Sequence, residues 1–292
     1  MRRSYYEANA RERVAAILDP RSFVELLPPG ERVVSPHLQA LDLPVAFDDG
    51  VVVGSGTLAG TPVLIAAQEG GFMGGAVGEV HGAKIVGLLQ RAQRERLPVL
   101  LLAESGGVRL QEANAGLIAV SEVMRAILAA RSAGISVVGA IGGQYGCFGG
   151  MGIAIACCSA IVMSEEGRLG LSGPEVIETA NGVEEFDSRD RALVWRTVGG
   201  KHRYLLGDCA ALVDDDLAAF RDALSRLTAI ETPLTLDAVE REHALLTHRL
   251  EAFGRLGDGL DIWRALGWRH PEDVPLAATD LFLEQARILR AA

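Results

Sequence analysis

Lysine occurs only twice in this 292-residue chain, at Lys84 and Lys201, and aromatic residues make up just 5%. Acidic residues outnumber basic ones by 38 to 28, a formal net charge of −10. A nucleic-acid partner, which needs a basic face, is not expected, and no basic run marks a membrane surface. Cysteine is nearly as scarce: Cys147, Cys157, Cys158 and Cys209, without a C-x-x-C pair. The adjacent Cys157 and Cys158 fall in an apolar segment and read as buried, reduced thiols. The longest weakly polar stretch, Cys147–Met163, is short for a membrane span and ends at Ser164-Glu165-Glu166. It reads as a buried helix feeding a strand. The N-terminus, MRRSYYEANARERV, lacks an apolar core, so no signal peptide is expected and the reading is a cytoplasmic soluble protein.

Side-chain signatures of catalysis are missing too. No G-x-x-x-x-G-K-[ST] phosphate loop occurs, and Ser105 has Ala103 two residues before it, so it is no G-x-S-x-G nucleophile. Gly150-Met151-Gly152 lacks the third glycine of a dinucleotide fingerprint. The six histidines are scattered, and His243 and His248 miss the i, i+4 spacing of a zinc-binding helix. No metal site is expected. What remains as a source of chemistry is the backbone.

Two stretches offer it. Val99–Ala103 is an apolar run of strand length, ended by Ser105-Gly106-Gly107, with helix formers from Leu110 onward. Ile135–Ile141 is a second such run, and Gly149-Gly150 precedes the apolar Met151–Cys158. A glycine pair between strand and helix lets the backbone approach a ligand and leaves N–H groups at a helix N-terminus. Either pair alone is an ordinary β–α turn. Two facing one point form an oxyanion hole, with Gly106, Gly107, Gly149 and Gly150 as its residues.

Along the chain, Ser4–Leu18 has a helical pattern stopped by Asp19-Pro20, and residues 27–44 read as loop. Val45–Leu58 and Pro62–Gln68 read as strands joined by a turn, followed by Gly70–Gly78 with five glycines in nine residues. Glu79–Arg96 is helical, as is the segment through Leu117, Met124 and Leu128 up to Ala133-Gly134. Ala160–Met163 and Arg168–Leu171 read as short strands, and Ser172-Gly173-Pro174 as a helix start. Helices then dominate: one after Asp214-Asp215-Asp216, read as a solvated cap, then Val239–Leu256, Leu260–Leu266 and Leu281–Leu289. Alternating strand and helix over residues 45–171 argues α/β with parallel pairing. No linker shows a composition shift, so residues 1–292 are expected as one domain: an N-terminal helix and loop (1–44), a core (45–212) and a helical tail (213–292).

Several stretches resemble the biotin-dependent acyl-CoA carboxyltransferase family. They are Ala10–Val14 with Leu18–Leu26, Ala67-Gln68 with Gly74–Val86, Ser105–Glu112 (S-G-G-x-R-x-Q-E), Gly149-Gly150, and Gly173–Glu178 (G-P-x-V-I-E), all in the family's order. The resemblance implies a crotonase-like spiral of ββα units, here with additional C-terminal helices, and a thioester carbonyl held in a backbone oxyanion hole. It also implies substrate contacts at Gly74, Gly75, Gly173 and Pro174. Lys84 matches a family lysine and can pair with a phosphate on the thioester arm, though a solvated helix lysine is the plainer reading.

No cysteine precedes Cys147, so the four-cysteine zinc ribbon of the bacterial acetyl-CoA carboxylase β-subunit is absent, and a second crotonase half is absent as well. Within the family the chain is therefore similar to the β-subunits of biotin-independent malonate decarboxylases. That implies a γ-subunit and an acyl carrier protein as partners in a hetero-oligomer, and malonate carried as a thioester on a phosphopantetheine arm. It implies no cofactor bound directly and no biotin. The enolate left by CO2 loss must be protonated, and His81, Tyr145 and Glu112 are the side chains to consider. The alternatives are a biotin-dependent carboxyltransferase subunit, which uses the same enolate, and a non-catalytic carrier-binding scaffold.

Overall fold

Short aliphatic runs set the sheet. In the computed structural model, which describes residues 3–230 and 232–290, seven strands pair in chain order. They are β1 (Val24–Glu25), β2 (Val51–Leu58), β3 (Thr61–Gln68), β4 (Val99–Ala103), β5 (Val137–Ile141), β6 (Ala160–Ser164) and β7 (Ala211–Val213). The first three are antiparallel neighbours, and β3 through β7 run parallel. Parallel pairing requires a crossover between strands. Helices α1 (Ala10–Ile17) and α2 (Pro36–Ala40) precede these crossovers. They are made by α3 (Glu79–Glu95), α4 (Asn114–Ser132) and α5 (Gly149–Ala156), then by α6 (Pro174–Asn181), α7 (Arg191–Val198) and α8 (Gly200–Leu206) between β6 and β7. After β7 come α9 (Leu217–Thr228), α10 (Leu236–Phe253), α11 (Gly259–Ala265) and α12 (Thr279–Leu289).

Both faces of the sheet are covered, which is why its central strands read as unbroken apolar runs rather than alternating ones. Val99, Leu101 and Ala103 of β4 join Ile85, Val123, Ile127 and Met151 of α3 to α5 in one core cluster. Leu100 and Leu102 point the other way, onto Val14 and Ile17 of α1 and Phe220 and Leu224 of α9. Each fully buried Leu or Ile there contributes about 2 kcal/mol. Trp263 of α11 and Phe282 of α12 dock the tail onto the first cluster, whereas α10 buries no residue at all. No helix among the described residues is long and apolar enough to cross a membrane.

Beyond the strand ends the chain pairs a second time. Parallel bridges join Val77 to Val108, Ser105 to Cys147 and Cys147 to Leu169, and an antiparallel one joins Arg168 to Gly199. Each crossover unit thus gives one strand to the main sheet and one contact to a minor ladder above its C-terminal edge. The expected Arg168–Leu171 strand is reduced to these single bridges.

Other differences have local causes. The first helix begins at Ala10, not Ser4, because Asn9 and Glu12 form a reciprocal capping box. Residues 4–6 instead run to the start of α9, where Asp215 accepts from the Ser4 hydroxyl and the Tyr6 N–H. The acidic triplet is therefore an anchor for the N-terminal segment and not a solvated cap. Within the expected 27–44 loop, Ser35 caps α2 and Pro36 occupies its first turn. Cys147, Cys158 and Cys209 are buried free thiols, but Cys157 is partly exposed.

Candidate functional site

Four loops leave the C-terminal ends of β3, β4, β5 and β6, and their glycines converge. A Cβ placed on Gly107 falls 3.3 Å from the Cα of Gly149, and one placed on Gly149 falls 3.0 Å from the Cα of Gly107. Both residues have positive φ, 123° and 58°. Only glycine at both positions lets two turns meet in this way. The Gly70–Gly78 loop joins them through the Gly106 N–H, which donates to the Gly74 carbonyl at 2.8 Å. Gly173, the N-cap of α6 with Pro174 at its first position, lies 3.8 Å from the Phe148 ring when its Cβ is built. The structure thus gathers Gly74, Gly75, Gly106, Gly107, Gly149, Gly150, Gly173 and Pro174 at one end of the sheet.

The N–H groups are not distributed as the glycines alone suggest. Gly106 donates to Gly74, Gly107 donates to the Ser105 hydroxyl at 3.1 Å, and Gly149 donates to the Leu171 carbonyl at 2.8 Å. The uncommitted donors stand one residue further on in each turn. Among the described residues, no acceptor meets the N–H of Val108 or of Gly150, the latter in the first turn of α5. Val108 and Gly150 are spatial neighbours: a Cβ on Gly150 would meet the Val108 side chain at 3.2 Å and that of Val120 at 2.7 Å. That Cβ would point into the contact with α4.

The β4 turn is held from both sides by buried charge. Behind it, Arg109 is fully buried, and one guanidinium nitrogen reaches both Asp49 oxygens at 3.1 and 3.0 Å and Glu112 at 2.6 Å. Glu112 also accepts from the Ser35 hydroxyl (2.8 Å) and the Glu79 N–H (2.6 Å). Burial opposes ionisation of Glu112, but these donors outweigh it and hold its carboxyl below the usual range. In front, Glu104 is buried against Arg13 of α1.

Two of the side chains considered as proton donors are committed elsewhere. His81 is fully buried, and its Nδ1–H meets the Asp49 carbonyl at 3.0 Å while Nε2 meets the Gln68 amide at 3.0 Å. Burial, helped by the Arg109 charge, pushes its pKa down to about 3, so the ring is neutral. Glu112 is bound up in the Arg109 cluster. Tyr145 alone is exposed, with its ring against Gly70 and Gly74. The solvated-helix reading of Lys84 is corrected: its ammonium is buried and donates to the Asp48 and Val51 carbonyls, so it faces inward. Lys201 is also internal, on the carbonyls of Val274 and Ala277. Reading the sequence missed Val108, Arg13 and Glu104. The only signal for the pair was an arginine inside an apolar helix stripe and an acid at the end of an apolar strand.

A sequential, mostly parallel sheet with a second ladder above its edge, and backbone turns meeting there, defines the crotonase-like class of fold. Residues 7–235 match the carboxyl transferase domain family, and the chain belongs to that family. It is 40% identical to the malonyl-S-ACP:biotin-protein carboxyltransferase of Malonomonas rubra, over 99% of this chain and 97% of that protein. It superposes with a TM-score of 0.83 on a chain of a Pseudomonas malonate decarboxylase hetero-tetramer solved with malonate, at 42% identity, covering 90% of this chain and 97% of that one. The acetyl-coenzyme A carboxylase carboxyl transferase subunit beta of Desulforamulus reducens is 32% identical over 60% of this chain and 62% of its own length.

Proposed function

We propose that this chain is the β-type subunit of a malonyl-S-acyl-carrier-protein decarboxylase, releasing CO2 and leaving an acetyl thioester. The observation that carries the reading is the contact of the two glycine turns, with the Val108 and Gly150 N–H groups uncommitted beside it. Loss of CO2 leaves an electron pair that delocalises onto the thioester oxygen as an enolate. Donors already in place at that oxygen lower the barrier, each by about 3 kcal/mol. The Gly106, Gly107 and Gly149 N–H groups hold the turns in shape, and the next residue in each turn supplies the donor. No side-chain nucleophile is needed, and Ser105 is buried and bonded within its own turn. The proton for the enolate carbon comes from Tyr145, from water or from the partner subunit.

The malonyl group arrives on the phosphopantetheine arm of a carrier protein, and the loops at Gly74-Gly75 and Gly173-Pro174 flank its approach. A γ-type subunit covers the site. The exposed Leu110, Leu117, Ile118 and Leu171 surround the turns and suit such an apolar interface. The similarity to the Malonomonas protein favours a second reading, in which the carboxyl group passes to a biotin protein instead of leaving as CO2. Both readings share the enolate. CO2 release from malonyl carrier by the complex reconstituted with its partner subunit, with and without avidin, separates them. Release untouched by avidin supports the decarboxylase, and release abolished by avidin supports carboxyl transfer.

A further inference from the structure

One buried carboxylate joins three of the four loops of the site, those after β3, β4 and β5. Glu104 ends the turn-bearing side of β4 and is 4% exposed. Its N–H donates to the Gln68 side chain at the end of β3 (3.2 Å), and one carboxylate oxygen accepts the Tyr145 N–H from the β5 loop (3.1 Å). The other oxygen pairs with Arg13 of α1. The loops close on it so tightly that a Cβ at Gly70, Gly75 or Gly143 would fall within 2.8 Å of Glu104 atoms. Arg13 is braced in turn: its Nε donates to the Tyr5 carbonyl at 3.1 Å, its guanidinium lies 4.6 Å from the Tyr5 ring centroid, and that ring stacks on Phe220 at 3.8 Å.

We propose that Glu104, with Arg13 as its counter-ion, is a positioning residue that sets the spacing of the two oxyanion donors. The inference rests on the functional reading above. Glu104 lies four residues before Val108 in the chain and holds, through Tyr145, the loop that reaches Gly150 five residues later. A single rigid side chain therefore spans both turns. A fold-only role would need the ion pair but not the Tyr145 contact. Misplacing a reacting group by about 1 Å costs on the order of a hundredfold in rate, so small shifts of this carboxylate are read out in kcat.

The test uses the complex reconstituted with the partner subunit. Glu104→Asp keeps the charge facing Arg13 but withdraws the carboxylate by one methylene from the Tyr145 N–H. Arg13→Met/Glu104→Met removes both charges together and leaves neither buried alone, an exchange that is often neutral for stability. In both variants kcat is expected to fall at least tenfold, with KM for malonyl carrier within twofold of wild type. Amide hydrogen exchange over residues 142–151 is expected to quicken while the melting temperature of Glu104→Asp stays within a few degrees. Wild-type kcat and unchanged exchange in Glu104→Asp would overturn the proposal. The exchange measurement needs no turnover, and kcat is read equally on carboxyl transfer to a biotin protein. A wild-type complex that only transfers, or does neither, therefore overturns the functional reading and leaves this one to stand or fall on exchange.

Discussion

Gly107 and Gly149 face each other so closely that a methyl group on either would press within 3.3 Å of the other's Cα. They belong to loops of neighbouring strands, β4 and β5, whose registers align Ala103 with Ile141 at the sheet edge. The next bridge up, Ser105 to Cys147, keeps the loops in step until the glycines meet. The meeting of the two glycines is thus inherited from strand register.

Substitution at the contact should separate the turns. Gly149→Ala places a Cβ against Gly107 and forces a non-glycine residue to φ 58°, so CO2 release by the complex should drop by roughly a hundredfold or more, the scale of losing one oxyanion donor. Gly150→Val tests something different, because its side chain would press on Val120 and Val108. Overpacking of α5 on α4 should cost about 1–3 kcal/mol and lower the melting temperature first. Ser105→Ala removes the acceptor of the Gly107 N–H, so part of the activity should survive. Full activity in Gly149→Ala, or a dead Ser105→Ala with unchanged melting, would reject the backbone mechanism.

The sequence exposed the glycines but not the donors. Strand, turn and helix order could be read from apolar runs ended by glycine pairs, since those patterns are local. Which N–H remains free depends on where Gly74, Ser105 and Leu171 oxygens lie, and these contacts join different loops. Lys84 misled for the same reason. A lysine in a helix reads as solvated, and only the tertiary fold shows carbonyls waiting for it inside. Glu104 and Arg13 are 91 residues apart, and no periodicity links them.

Lys84→Met separates an internal lysine from a phosphate ligand. Its ammonium serves the Asp48 and Val51 carbonyls, so the variant should lose about 1–3 kcal/mol of stability from unsatisfied buried acceptors. KM for malonyl carrier should stay within twofold of wild type. A large rise in KM with unchanged melting would restore the phosphate contact.

Stability should decline on mild acidification. His81 and His202 are buried and pushed down to about 3, by burial first and by Arg109 or Arg203 next, whereas an unfolded histidine titrates near 6.5. Below that pH the unfolded chain gains protons that the folded chain refuses, so the stability present above 6.5 is lost as pH falls. Each histidine removes about 1.4 kcal/mol per pH unit, and the pair roughly 4 kcal/mol at pH 5. Carboxylates held low, such as Glu112, add their loss only nearer 4.5 and below. Melting temperatures that stay flat from pH 7.5 to 5 would contradict this assignment.

The isolated chain should not behave as a clean monomer. Helix α10 buries nothing, yet Leu236, Val239, Leu246 and Leu250 fall on one stripe at successive spacings of three, seven and four residues, each 49–72% exposed. That is the seam pattern of a helix awaiting another helix. It lies just past residue 235, where the match to the carboxyl transferase domain ends, so it is an addition to the shared catalytic unit. Size-exclusion of the chain alone should show self-association, and Leu246→Glu with Leu250→Glu should reduce it without lowering the melting temperature, since neither residue supports the core. The same double variant should bind the partner subunit more weakly while leaving the activity of whatever complex forms unchanged. A monodisperse wild-type chain with full malonyl thioester decarboxylation would show that this surface needs no cover and that the site is complete without a second subunit.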